Sequence, residues 1–175
     1  MTDKPKIALY SDRGVIADES QANSLWNRGY FGELKDTTLQ LSLIECVFLS
    51  ESRRAEIQDK KGAKIKKQDM FKLAAEKYED FIPKYNVYKD LRSRGHIVKT
   101  GFKFGTHFRM YERGKHPGKG HADFLVHVIP EDTVFELQEL SRNVRLSRSV
   151  RKTIWYAVVD TEGDITYYQI VRIKP

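Results

Sequence analysis

The stretch FRMYERGKHPGKGHADFLVHV, residues 108–128, decides how the second half of the chain is read. Two strand-like runs, one ending at Tyr111 and one opening after His121, flank a loop holding four glycine or proline residues. That pattern predicts a hairpin-like return of the chain. Further out, HIVKTG, FKFG, TIWYAVVD and ITYYQIVRIK read as strands, and DTEGD between the last two reads as a tight hairpin turn. Residues 136–150 place Leu137, Leu140 and Val144 at i, i+3 and i+7, a helix with one apolar stripe and an arginine-rich opposite face. A helix through NVYKDLRSR ends at Gly95, a residue suited to a left-handed cap.

Upstream, KIALYSD and GVIADES are two short strands around an Asp12-Arg13-Gly14 turn. Asp36 or Thr37 is expected to cap a largely buried helix through TLQLSLIECVFLSE. After a lysine-rich connector, DMFKLAAEKYEDF spaces Phe71, Ala74, Ala75, Tyr78 and Phe81 for another helix. Pro83 breaks or kinks that pattern, which places a domain boundary beside it: 1–83 as an N-terminal domain of helices and a small sheet, and 84–175 as a C-terminal mixed sheet flanked by helices. The fold class expected is α/β, with an α+β first domain and a restriction-endonuclease-like second one.

The chain has 175 residues, is 40% hydrophobic and carries a net charge of +7, enough apolar content for a real core and a charge suited to a polyanionic partner. It has no long apolar run and no signal-like start, so no membrane association and a cytoplasmic location are expected. The lone Cys46 lies in an apolar run, where a buried, unreactive thiol is expected. The basic charge is concentrated: residues 84–121 are net +8, and residues 142–152 add five cations with no acid.

A phenol is ordinarily a poor base near neutrality, but surrounding lysines and arginines favour the phenolate. Imidazole titrates near neutrality and can protonate a leaving alkoxide. Tyr111 and His121 therefore suit a base and acid pair, and Lys152 suits the stabilisation of charge on a phosphate. Such a route needs no metal and no cofactor, and it needs a nucleophile from the substrate. RNA supplies one in its 2′-hydroxyl. The plainer alternatives are an ordinary strand aromatic at Tyr111 and a hydrogen-bonding loop residue at His121. His107, His116 and His127 match no familiar zinc spacing. A metal-dependent nuclease would want an acid-x-lysine pair after Asp123, where the chain has Glu136-Leu137-Gln138.

YKDLRSRGHIVKTGFKFGTHFRMYERG, GHADFLVHVIPED and LSRNVRLSRSVRK closely resemble the catalytic domain of archaeal-type tRNA-splicing endonucleases, and LSLIEC resembles their N-terminal domain. The resemblance implies Tyr111 as general base, His121 as general acid and Lys152 as the transition-state stabiliser. It implies that Arg145 stacks on an extruded base, with Arg148 and Arg113 as further RNA contacts. It implies a precursor tRNA substrate cut at both intron boundaries in a bulge-helix-bulge element, and a homotetramer in which the acidic hairpin of Asp160, Glu162 and Asp164 docks on another subunit. As a turn alone, DTEGD reads as a solvated hairpin rather than a docking loop, and the resemblance reverses that preference. The alternative function is a noncatalytic structural or RNA-binding subunit of such an enzyme.

Overall fold

The computed structural model describes residues 4–173, and the chain forms two compact units that meet in sequence between Phe81 and Ile82. Among the described residues there are five α-helices and two five-stranded mixed sheets, the mixed α/β class expected.

In the first unit, β1 (Lys6–Leu9) and β2 (Arg13–Ile16) form the expected antiparallel hairpin. Gly14 is required there because a Cβ would lie 2.5 Å from both Cys46 Sγ and an Ile7 methyl. The second strand is shorter than the sequence suggested. Asp18 leaves it to cap α1 (Glu19–Gly29), its carboxylate accepting from the Gln21 amide at 2.8 Å. After β3 (Glu33–Lys35), the expected helix cap at Asp36 or Thr37 is instead a hairpin turn, with Asp36 at φ 51°. Thr38–Ser42 is β4, whose alternating burial is the period of a strand, and the helix begins only at α2 (Leu43–Glu51). A capping box decides that start: the Ser42 hydroxyl receives the Glu45 amide, and the Glu45 carboxylate receives the Ser42 amide at 2.9 Å. Cys46 is a free thiol at full burial, and burial pushes its pKa up, as the expected inert cysteine requires.

Within the lysine-rich connector, Asp59 folds the chain back by accepting from the Lys61 and Ala63 amides, after β5 (Glu56–Gln58) has paired parallel to β1. The next helix, α3 (Lys67–Lys77), buries Met70 and Ala74, while Ala75 and Tyr78 are exposed, so the apolar face is narrower than the expected one.

The helix α4 (Phe81–Ser93), all but its first residue in the second unit, begins before Pro83, contrary to the break expected at that residue. Pro83 sits in the first turn, where an amide would have no intrahelical partner and the ring costs nothing. The sheet runs β10-β9-β8-β7-β6. β6 (Ile97–Thr100), β7 (Phe108–Tyr111) and β8 (Phe124–Pro130) are antiparallel neighbours. FKFG is not a strand: Phe102–Phe104 is a 3₁₀ turn between Gly101 and Gly105, the latter at φ 67°. Following β8, α5 (Leu137–Ser149) crosses to β9 (Thr153–Val159), which lies parallel to β8, and β10 (Ile165–Ile170) closes the expected hairpin with Gly163 at φ 91°. The α5 stripe differs from the expected one: Leu137 is 80% exposed, and Val144 with the partly buried Leu140 packs on Leu125, Ile154 and Tyr156. On the opposite sheet face, the Tyr88 ring of α4 meets Phe108 with centroids 5.8 Å apart. The last two residues of the ITYYQIVRIKP run lie outside the described residues.

Candidate active site

Sheet register sets the site. Met110 pairs with Phe124, and Phe124 pairs with Thr153, so the next positions toward one sheet end are Tyr111, Asp123 and Lys152 in a single row. Backbone bonds fix that row: the Asp123 amide donates to Met110 at 3.1 Å, and the Thr153 amide donates to Asp123 at 2.9 Å. Tyr111 is only 4% exposed, and its hydroxyl makes no hydrogen bond among the described residues. His121 lies two residues before Asp123, is exposed, and likewise makes no side-chain hydrogen bond among the described residues.

The end of α5 delivers Lys152. Arg151 adopts the left-handed conformation at φ 55°, its amide donating to Arg148, while the Lys152 amide donates to Ser147 at 2.8 Å. Those two bonds are the paired closures of a left-handed helix terminus, and they place Lys152 on the first residue before β9. The Lys152 ammonium donates to the carbonyl of Ala122, the residue after His121, and stands 5.4 Å from the Phe104 ring centroid. Partial burial lowers the Lys152 pKa; Asp123 opposes that shift, and Arg109 and Lys103 reinforce it. An ammonium has three donors, so one bond to Ala122 leaves two for a ligand.

The loop between β7 and β8 is braced by ion pairs. Lys115 contacts Asp123 at 2.8 Å and Glu112 at 2.9 Å, and the Asp123 carboxylate also accepts from the Glu112 amide at 3.1 Å. Burial works against the Asp123 charge, but Lys115 and the Glu112 amide outweigh it and hold the carboxyl below its ordinary range. His116 directs Nδ1 at the Pro117 carbonyl, 2.9 Å away, which commits one ring nitrogen within the loop.

The expected RNA contacts occupy different places. Arg145 and Arg148 are exposed on α5 in one row with Arg142. Arg148 also donates to the Arg172 carbonyl at 3.3 Å, beside a cleft of about 280 Å³ lined by Ser147, Arg148, Arg151, Lys152 and Arg172. Arg113 is exposed, its guanidinium donating to the Arg94 carbonyl at 3.0 Å. In the acidic hairpin, the Asp160 carboxylate accepts from the Glu162 and Asp164 amides, at 2.9 and 2.8 Å, and so shapes the turn, while Glu162 and Asp164 are exposed.

Two histidines lie elsewhere. His107 accepts from the Val128 amide at 2.9 Å and stacks near His127, with ring centroids 4.6 Å apart. Among the described residues no three His, Cys, Asp or Glu side chains are grouped as metal ligands. Nor is any described helix long and apolar enough to cross a membrane. Sequence reasoning missed the bracing role of Asp123 and the Phe104 ring beneath Lys152. The register of GHADF against FRMYE carried the first, and nothing local in FKFG carried the second.

Residues 81–167 match a family described as tRNA intron endonuclease, catalytic C-terminal domain, and residues 6–71 match tRNA intron endonuclease, N-terminal domain. A tRNA-splicing endonuclease of Thermococcus onnurineus is 40% identical, with 99% of each chain covered. One of Methanothermobacter thermautotrophicus is 40% identical over 92% of this chain and 93% of its own. One of Methanosarcina mazei is 40% identical over 98% of this chain, which spans 49% of that longer protein.

Proposed function

The chain belongs to the tRNA intron endonuclease family, and on that premise we propose that it is a tRNA-splicing endonuclease cutting precursor tRNA at both intron boundaries within a bulge-helix-bulge element. Tyr111 takes the proton of the 2′-hydroxyl at the cleavage site. The 2′ oxygen then forms a bond to its own 3′ phosphorus as the bond from phosphorus to the 5′ oxygen breaks. His121 gives its proton to that departing oxygen. The products are a 2′,3′-cyclic phosphate and a 5′-hydroxyl, with atoms and charge balanced and no water consumed. Lys152 opposes the charge that builds on the phosphoryl oxygens.

The observation that supports this reading best is the row of Tyr111, Asp123 and Lys152 at one end of the β7-β8-β9 ladder, with the Lys152 ammonium on the carbonyl of Ala122, the residue after His121. The α5 arginine row, including Arg145 and Arg148, together with the exposed Arg113 of the loop after β7, offers the cationic surface for RNA. Guanidinium planes suit both base stacking and phosphate pairing. Two cuts per substrate call for two active sites, which fits a homotetramer in which the Asp160–Asp164 hairpin docks on another copy.

The test separates binding from chemistry. His121→Ala is expected to bind precursor tRNA like the unaltered chain while cleaving it about 10²-fold or more slowly. Cleavage at an ordinary rate by that variant would remove His121 from the mechanism.

A further inference from the structure

The reaction assigned above needs three side chains from separate segments held in register, one of them on a twelve-residue excursion from residue 112 to residue 123. Asp123 is bonded to every one of those segments. Its carboxylate receives the Glu112 amide, one residue past Tyr111, at 3.1 Å, and the Lys115 ammonium from within the loop at 2.8 Å. Its carbonyl receives the amide of Thr153, one residue past Lys152, at 2.9 Å, and its own amide is tied to Met110, one residue before Tyr111, at 3.1 Å.

We propose that Asp123 is a positioning residue for this cleavage, fastening the end of β7, the loop that carries His121 and the start of β9 around the scissile phosphate. The proposal rests on the endonuclease reading given above. The backbone bonds of Asp123 follow from the sheet and any residue would make them. The carboxylate bonds belong to this side chain alone, and they are charge-assisted. A second effect comes with them: of the charged groups acting on the Lys152 ammonium, Arg109 on β7 and Lys103 in the 3₁₀ turn disfavour its charge, while Asp123 favours it. Asp123 therefore holds the loop in place and favours the charged form of the neighbouring lysine. Lys115 shares only the first task.

The two tasks separate experimentally in the full chain. Lysines labelled with ¹³C at Cε are titrated by NMR, with the Lys152 resonance identified by its loss in Lys152→Arg. In Asp123→Asn the Lys152 midpoint is expected at lower pH than in the unaltered chain, and in Lys115→Met it is expected to stay. With precursor tRNA, Asp123→Asn is expected to lower kcat by about 10²-fold, the scale of an ångström of misplacement, with KM within about twofold. Asp123→Glu, which keeps the charge, should recover part of both. Asp123→Ser serves in the same comparison if the Asn variant does not fold. A Lys152 midpoint that ignores the loss of the Asp123 charge, or an Asn variant that cuts at the ordinary rate, would overturn the proposal. A chain that cuts no RNA before any substitution would instead overturn the endonuclease reading, and the titration would still decide whether Asp123 acts on Lys152.

Discussion

Lys152 carries its charge under opposing pressures, burial against the attraction of Asp123, and the net effect is a lowered pKa. If cleavage requires the ammonium, the contribution of Lys152 is complete below that pKa and fades as pH rises through it. Lys152→Met should therefore lower kcat most at neutral pH, and its deficit relative to the unaltered chain should shrink on the alkaline side. His107 makes the opposite kind of demand. Burial first, then His127 and Lys84, push its pKa down to about 3, so the folded state holds it neutral where an unfolded chain would protonate it. Stability is then lost as pH falls below about 6.5, by about 2 kcal/mol on reaching pH 5 from this one group. Urea unfolding at pH 7 and pH 5 should show that loss, and it should be smaller in His107→Gln; an equal loss in both would contradict the assignment. At this scale the sequence was most legible where chemistry restricts residue type, as at Tyr111, His121 and Lys152. Asp123 was legible only as the acid of a metal-dependent nuclease pattern that the following residues do not complete, because its partners Glu112 and Lys115 come together through sheet register and loop closure.

At the scale of elements, the misread segment was TLQLSLIECVFLSE, where apolar residues on nearly every side suggested one long helix. The first five residues alternate in burial and pair with β2 and β3, and the strand ends where Ser42 and Glu45 exchange hydrogen bonds. That exchange was written in the sequence as Ser-x-x-Glu, but the apolar run around it masked the break. Ser42→Ala should cost about 1 kcal/mol, since it removes the cap from α2. A shift in the urea midpoint at constant slope would measure it, and an unchanged midpoint would show that the cap contributes nothing. Phe102 and Phe104 were read as strand because alternating aromatics fit a pleated surface. Gly101 is pressed against the Phe108 backbone, 2.7 Å from where its Cβ would sit, and Gly105 takes a left-handed turn, so the backbone curls instead. α5 lost Leu137 from its stripe because the helix packs through Val144 and Leu140 and leaves its first residue in solvent.

For the whole molecule, the concentration of cations in residues 84–121 and 142–152 was the most accessible property of the sequence, and it fits a polyanionic substrate. The mixed α/β class that follows from helix and strand alternation was also within reach. The pairing of β8 parallel to β9 was not, since it depends on α5 crossing over the sheet. The acidic hairpin divides its labour: Asp160 shapes the turn, while Glu162 and Asp164 face solvent. If the hairpin docks on another copy, Glu162→Gln combined with Asp164→Asn should lower the mass measured in solution while leaving the fold intact, and an unchanged mass would contradict the docking role. The central claim is tested most directly by incubating the chain with an intron-containing precursor tRNA in excess EDTA and determining the chemistry of the RNA ends. Two defined cuts leaving 2′,3′-cyclic phosphate and 5′-hydroxyl are the predicted result; binding without cleavage, or cuts that appear only when divalent metal is restored, would contradict it.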